Sequence, residues 1–224
     1  MLGGILSESS SGEIVRVEEV DVYGFLHTPQ QATGYGLVLT HGAGQNCQSP
    51  LLVALAREFC QNGFSVLRYE LQFRKLRSHG PPRPGFAELD RGSIRAALQF
   101  LRTKVSGRLF AGGHSYGGRQ TTMLLAEQPG LAEGLLLLSY PLHPPKKPTQ
   151  LRTAHFPNLR APSLFVHGTR DGFGSTEEMT EALKLIPSRT VLVPIEGAGH
   201  ELLSKKNEGE LPKKIVEAFS GFAI

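Results

Sequence analysis

Two cysteines, Cys47 and Cys60, are all that this 224-residue chain contains. Both fall in or beside one expected helix and there is no second pair, which excludes a disulfide framework and leaves two reduced packing residues. Long apolar runs are missing as well: no stretch approaches the roughly 18 residues a membrane span needs. The opening Met1-Leu-Gly-Gly-Ile-Leu-Ser-Glu8 has neither a basic n-region nor a sustained apolar h-region. A cytoplasmic protein without a membrane partner is the expectation. The formal charge of +4 falls short of the concentrated basic face of a nucleic-acid binder, so no nucleic acid is expected as a partner. Internal repeats and interdomain linkers are absent, and 40% hydrophobic with 20% charged residues is ordinary globular usage, which excludes disorder and fibrous folds. A chain of this length forms one core, so residues 1–224 are expected to be one domain.

What is present alternates. From Glu13 to Thr28 the pattern of one or two antiparallel edge strands opens the chain. Tyr35–Thr40, Phe64–Tyr69, Arg108–Gly112, Leu135–Leu138, Ser163–His167 and Thr190–Pro194 then read as strands, most of them continuously apolar, as in a sheet covered on both faces. Helices are expected between them: from Ser49-Pro50 to Asn62-Gly63, around Ile94–Leu101, over Gln120–Gln128, from a Ser175/Glu178 capping box to about Leu185, and a last one carrying Leu211, Ile215, Phe219 and Phe222. Gln72–Gly85 reads as a basic, proline-rich loop. Strand and helix in alternation imply an α/β fold, a three-layer α/β/α sandwich around a mostly parallel sheet with right-handed crossovers.

Gly113-His114-Ser115-Tyr116-Gly117 fits G-x-S-x-G, but with 26 glycines and 16 serines chance alone supplies roughly 0.2 such matches, so the pattern is weak by itself. Its place gives it force. It follows an expected strand and opens an expected helix, where a strained turn lifts a hydroxyl clear of the sheet and flanking glycines let backbone segments approach. A serine nucleophile needs a base and a third group to hold that base's tautomer. Asp171 is the one aspartate after Ser115, and His200 the one histidine after Asp171. Each sits in a loop after a strand, on the sheet edge where active sites of open α/β sheets lie. Glu177 and Glu178 are the alternative acids, although first-turn carboxylates more often cap a helix. His200 as a loop histidine bonded only to backbone is the alternative to a catalytic base.

An oxyanion needs two preorganised donors. The N–H of Tyr116, just after the nucleophile, is one; the glycine turn His41-Gly42-Ala43-Gly44 supplies the other, assigned to Ala43 with Gly44 as the near alternative. His41 and His114 are expected to hydrogen-bond within their turns, and the other histidines lack metal-ligand spacing, so neither a metal nor a cofactor is expected. Phe73-Arg-Lys-Leu-Arg77 with Arg83 reads as a solvated basic loop rather than an anion-attracting pocket mouth.

His41-Gly-Ala-Gly44, the arginine-rich loop before Pro81-Pro82, Gly112-Gly-His-Ser-Tyr-Gly-Gly-Arg119, Tyr140-Pro-Leu-His-Pro-Pro145, Phe165-Val-His-Gly-Thr-Arg-Asp171 and Gly199-His200 together resemble the α/β-hydrolase superfamily. More narrowly the chain is similar to its dienelactone-hydrolase-like branch of Tex-thirty and NSL-complex-subunit-three type. The resemblance implies the three-layer sandwich and a hydrolase triad on Ser115, Asp171 and His200. Dienelactone hydrolases carry a cysteine nucleophile where Ser115 stands, so their substrate is not carried over. A serine carboxylesterase acting on a small ester or acyl substrate is the expectation. The short Tyr140–Pro162 stretch leaves no room for a large cap domain. Because some relatives in this branch resemble chromatin-complex subunits, a non-catalytic interaction module on the same fold is the second reading.

Overall fold

Residue-by-residue alternation along the strands sorts the apolar side chains into two cores, one on each face of a single sheet. The structure, a computed structural model, describes residues 12–83 and 85–223; the opening Met1–Glu8 segment discussed above lies outside them. Within the described residues eight strands, β1 (Glu13–Glu18), β2 (Tyr23–Thr28), β3 (Gly36–Thr40), β4 (Ser65–Tyr69), β5 (Leu109–His114), β6 (Leu135–Leu138), β7 (Ser163–Gly168) and β8 (Thr190–Ile195), are ordered β1-β2-β4-β3-β5-β6-β7-β8. β1 pairs antiparallel with β2, and β2 with β4; every later pairing is parallel.

Among the described residues six helices cover the sheet: α1 (Pro50–Gln61), α2 (Gln72–Leu76), α3 (Phe86–Arg102), α4 (Tyr116–Glu127), α5 (Thr176–Leu183) and α6 (Leu211–Ala223). Val38, Leu67, Ala111, Leu137 and Phe165 face α3, α4 and α5, meeting Ile94, Leu98, Leu124 and Met179. Their strand neighbours Leu39, Val66, Phe110, Leu136 and Val166 face α1 and α6, where Phe219 stands edge-on between Phe59 and Phe110 at centroid distances of 5.6 and 5.2 Å. This is the mostly parallel, doubly covered α/β sheet that alternation implies. Between β6 and β7, residues 139–162 hold only a three-residue 3-10 helix at Phe156–Asn158, so no large cap domain stands over the sheet edge. Among the described residues no helix is long and apolar enough to cross a membrane, and Cys47 and Cys60 are unpaired and buried.

Three local readings change. α2 lies inside the stretch read as a loop, its start fixed where Phe73 N–H donates to Asp90 Oδ1 at 2.9 Å, a partner seventeen positions away. α4 begins at Tyr116 rather than Gln120, and β5 runs on to His114, so the turn shrinks to Ser115 itself. Gly117 and Gly118 weaken a helix in isolation, yet they stand in its first turn, where a Cβ would fall 2.5 Å from His41 O at Gly117 and 2.6 Å from Gly113 O at Gly118. The basic run is not uniformly solvated either: the Arg74 side chain is buried.

Candidate active site

Ser115 sits between β5 and α4 with φ 51° and ψ −116°, a left-handed conformation that a non-glycine residue keeps only when its surroundings enforce it. The enforcement is visible. Ser115 N–H donates to Leu138 O at 2.8 Å, tying the turn to β6. A Cβ on Gly113 would fall 2.8 Å from Gly118 N, and one on Gly117 would fall 2.5 Å from His41 O, so both flanking positions require glycine. The same close approach lays the β3 turn beside the serine: a Cβ on Gly42 would touch Ser115 Cβ at 3.4 Å.

The loops after β7 and β8 bring Asp171 and His200 to the serine. Because the Asp171 carboxylate can only accept, His200 Nδ1–H donates to it, at 2.8 Å to Oδ2 and 3.0 Å to Oδ1. That leaves Nε2 as the acceptor for the Ser115 hydroxyl at 2.7 Å. Asp171, rather than Glu177 or Glu178, is the carboxylate in contact with His200. Glu178 instead completes the α5 capping box, accepting from Ser175 N–H at 2.7 Å, with His143 Nε2 at 3.3 Å. Burial by itself would raise the Asp171 carboxyl; the hydrogen bond and charge of His200 and the Phe173 N–H (2.9 Å) outweigh it and hold the group below the usual aspartate value.

Further contacts, at residues the sequence singles out for other roles or not at all, hold this arrangement. The Phe173 ring lies 4.2 Å from the His200 ring, tilted 32°. His114 bonds far outside its own turn: its Nε2–H donates to His200 O at 2.8 Å, bridging the β5 and β8 loops, while its Nδ1 is buried without a partner. Desolvation dominates at His114 and holds its pKa down, favouring the neutral ring. His167 Nε2–H donates to Gly174 O at 2.8 Å and fixes the turn beyond Asp171. Tyr116, whose N–H opens α4, is anchored through its hydroxyl to Asp90 Oδ2 at 2.7 Å. His41 does bond within its turn, Nδ1–H to Gly42 O at 2.8 Å, but its Nε2 also lies 2.9 Å from Glu70 Oε2. Burial raises the Glu70 carboxyl; the hydrogen bond and charge of His41 reverse this and leave it below the usual glutamate value. His114 and His200, Tyr116 and Asp90, and His41 and Glu70 are far apart in sequence, which is why periodicity and motif spacing do not expose these contacts.

The arrangement has parts that nucleophilic acyl chemistry uses: a hydroxyl bonded to an imidazole and an imidazole oriented by a carboxylate, with the Gly42 turn packed against the serine. Among the described residues no three His, Cys, Asp or Glu side chains gather as a metal-holding cluster.

Comparison with known proteins agrees with this architecture. The chain is similar to a dienelactone hydrolase from Anabaena variabilis ATCC 29413, at a TM-score of 0.73 and 22% identity over 96% of this chain and 100% of that one. Est1E from Butyrivibrio proteoclasticus, in its structure with ferulic acid bound, superposes at 0.73 with 15% identity over 93% of this chain and 98% of its own. An α/β serine hydrolase without lid from Xanthomonas campestris superposes at 0.72 with 14% identity, covering 96% of this chain and 97% of that one. At such identities these likenesses speak for the fold. A family model described as an alpha/beta hydrolase domain matches residues 34–222, and the chain therefore belongs to the alpha/beta hydrolase family.

Proposed function

We propose that the protein is a serine hydrolase of carboxylesterase type that cleaves small ester or acyl substrates through an acyl-enzyme. The observation that carries the reading is the continuous hydrogen-bonded chain from Ser115 Oγ through His200 to the Asp171 carboxylate. Ser115 Oγ attacks the substrate carbonyl carbon while its proton passes to His200 Nε2, and Asp171 stabilises the imidazolium. The tetrahedral oxyanion is received by the N–H groups of Tyr116 and Ala43. On collapse the carbon–oxygen bond to the alcohol breaks and His200 returns its proton to the leaving oxygen. Water then repeats the sequence: His200 takes its proton, the hydroxide oxygen bonds to the acyl carbon, and the Ser115 ester bond breaks with the proton going back to Oγ. The free acid leaves.

Substrate size follows from the open sheet edge. No large cap domain stands over this edge to enclose a long acyl chain, so short esters are favoured. A nitrophenyl ester panel tests both points. Wild type should hydrolyse the acetate and butyrate esters with higher kcat/KM than the palmitate ester, and Ser115→Ala or His200→Ala should lose about 10,000-fold or more in kcat. Equal rates for folded wild type and Ser115→Ala would refute the reading and turn attention to a binding role for the fold.

A further inference from the structure

We infer that Arg74 is a positioning residue that holds the oxyanion turn in its working conformation; this rests on the hydrolase reading above. Arg74 stands on α2, and only 8% of it is exposed. A guanidinium that deep ordinarily has a carboxylate beside it, because an unpaired buried charge is costly. Among the described residues Arg74 forms no ion pair. Its hydrogen bonds go to main-chain carbonyls: Nε to Gln45 O at 2.8 Å, Nη2 to Ala43 O at 2.8 Å and Gly80 O at 3.1 Å, and Nη1 to Arg77 O at 3.2 Å.

Peptide geometry turns these bonds into a statement about N–H direction. In a trans peptide the N–H points opposite to the C=O of the same plane. Arg74 draws the Ala43 carbonyl toward itself, which turns the Gly44 N–H away. One plane earlier, His41 Nδ1 at 2.8 Å and Gln45 N at 3.2 Å hold the Gly42 carbonyl, which orients the Ala43 N–H in the same manner. Both N–H groups are thus fixed from behind through their carbonyl partners, in a turn whose Gly42 lies against Ser115. The guanidinium also places a permanent positive charge on the carbonyl side of the turn. Four of its five N–H donors are committed to the backbone, which ties the side chain to the turn rather than to an anionic substrate.

The test is steady-state hydrolysis of nitrophenyl acetate and of its anionic counterpart, nitrophenyl hemisuccinate, by the full chain as wild type, Arg74→Met and Arg74→Lys, with folding checked by circular dichroism. Loss of an oxyanion donor costs about 100- to 1,000-fold. A misaligned turn in Arg74→Met should therefore lower kcat on the order of 10- to 1,000-fold, leave KM within about threefold, and affect both esters alike. The acid limb of the kcat/KM pH profile should stay where it is in wild type, since His200 and Asp171 are untouched; a general loosening of the site would move it. Arg74→Lys, which keeps the charge but spans fewer carbonyls, should fall between the two, and it decides the matter if Arg74→Met does not fold. A folded variant with kcat within about twofold of wild type, or a defect confined to KM for the hemisuccinate, would overturn the inference. If wild type itself hydrolyses neither ester, the hydrolase reading fails and takes the inference with it; active wild type with indifferent Arg74 variants sinks the inference alone.

Discussion

At Asp171, burial pushes the carboxyl toward protonation, and pairing with His200 and the Phe173 N–H pulls it the other way more strongly. A carboxyl whose folded value lies below its unfolded one stabilises the native state above the unfolded value, about 4 for aspartate, and loses that contribution as pH falls through the folded value. Urea unfolding of wild type and Asp171→Asn should therefore show the wild-type advantage in full from pH 5 upward, shrinking as pH drops below about 4. An advantage independent of pH down to the acid limit would mean that the pairing at Asp171 does not depend on its charge. The three residues that meet at the site were legible individually, because elimination works in a chain with one late aspartate and one late histidine. Their supporting contacts were not: Tyr116 to Asp90, His114 to the His200 carbonyl, and Arg74 to Ala43 join positions 26, 86 and 31 residues apart.

Among the elements, those with strong local signals keep their expected places. The α5 capping box forms as written, with Ser175 Oγ accepting from Glu178 N–H at 3.1 Å and Glu178 reaching back, and the apolar runs of β3 to β7 are buried throughout. Tertiary packing decides where local propensity is silent or contrary. Five residues are too few for α2 to show helical periodicity, and the glycines at the start of α4, which argue against a helix, are set by close backbone approach such as that of His41 O to Gly117. A graded pair of substitutions measures that crowding. Gly117→Ala forces a Cβ to 2.5 Å from His41 O and 2.7 Å from Thr40 Cγ2, and should cost about 1–3 kcal/mol in urea unfolding. Gly172→Ala, beside Asp171 but with nothing within 4 Å of the added atom, should stay within about 0.5 kcal/mol. Equal stability of the two variants would show that β5, α4 and the β3 turn are less tightly packed than their spacing implies.

Over the whole molecule, topology makes the site. The parallel order β4-β3-β5-β6-β7-β8 points the C-terminal ends of β3, β5, β7 and β8 to one edge, and the four loops leaving them carry the His41–Gly44 turn, Ser115, Asp171 and His200. Strand–helix alternation was enough to read this architecture, since a parallel sheet with right-handed crossovers leaves few other solutions; the strand order was not legible, because interior strands share one apolar composition. The central claim is that this edge makes Ser115 a nucleophile. Treating the folded protein with a fluorophosphonate and mapping the adduct by peptide mass spectrometry tests it most directly. The account predicts one phosphonylated site, Ser115, with labelling abolished in Ser115→Ala and strongly slowed in His200→Ala; folded wild type that remains unlabelled, or is labelled at another residue, would contradict it.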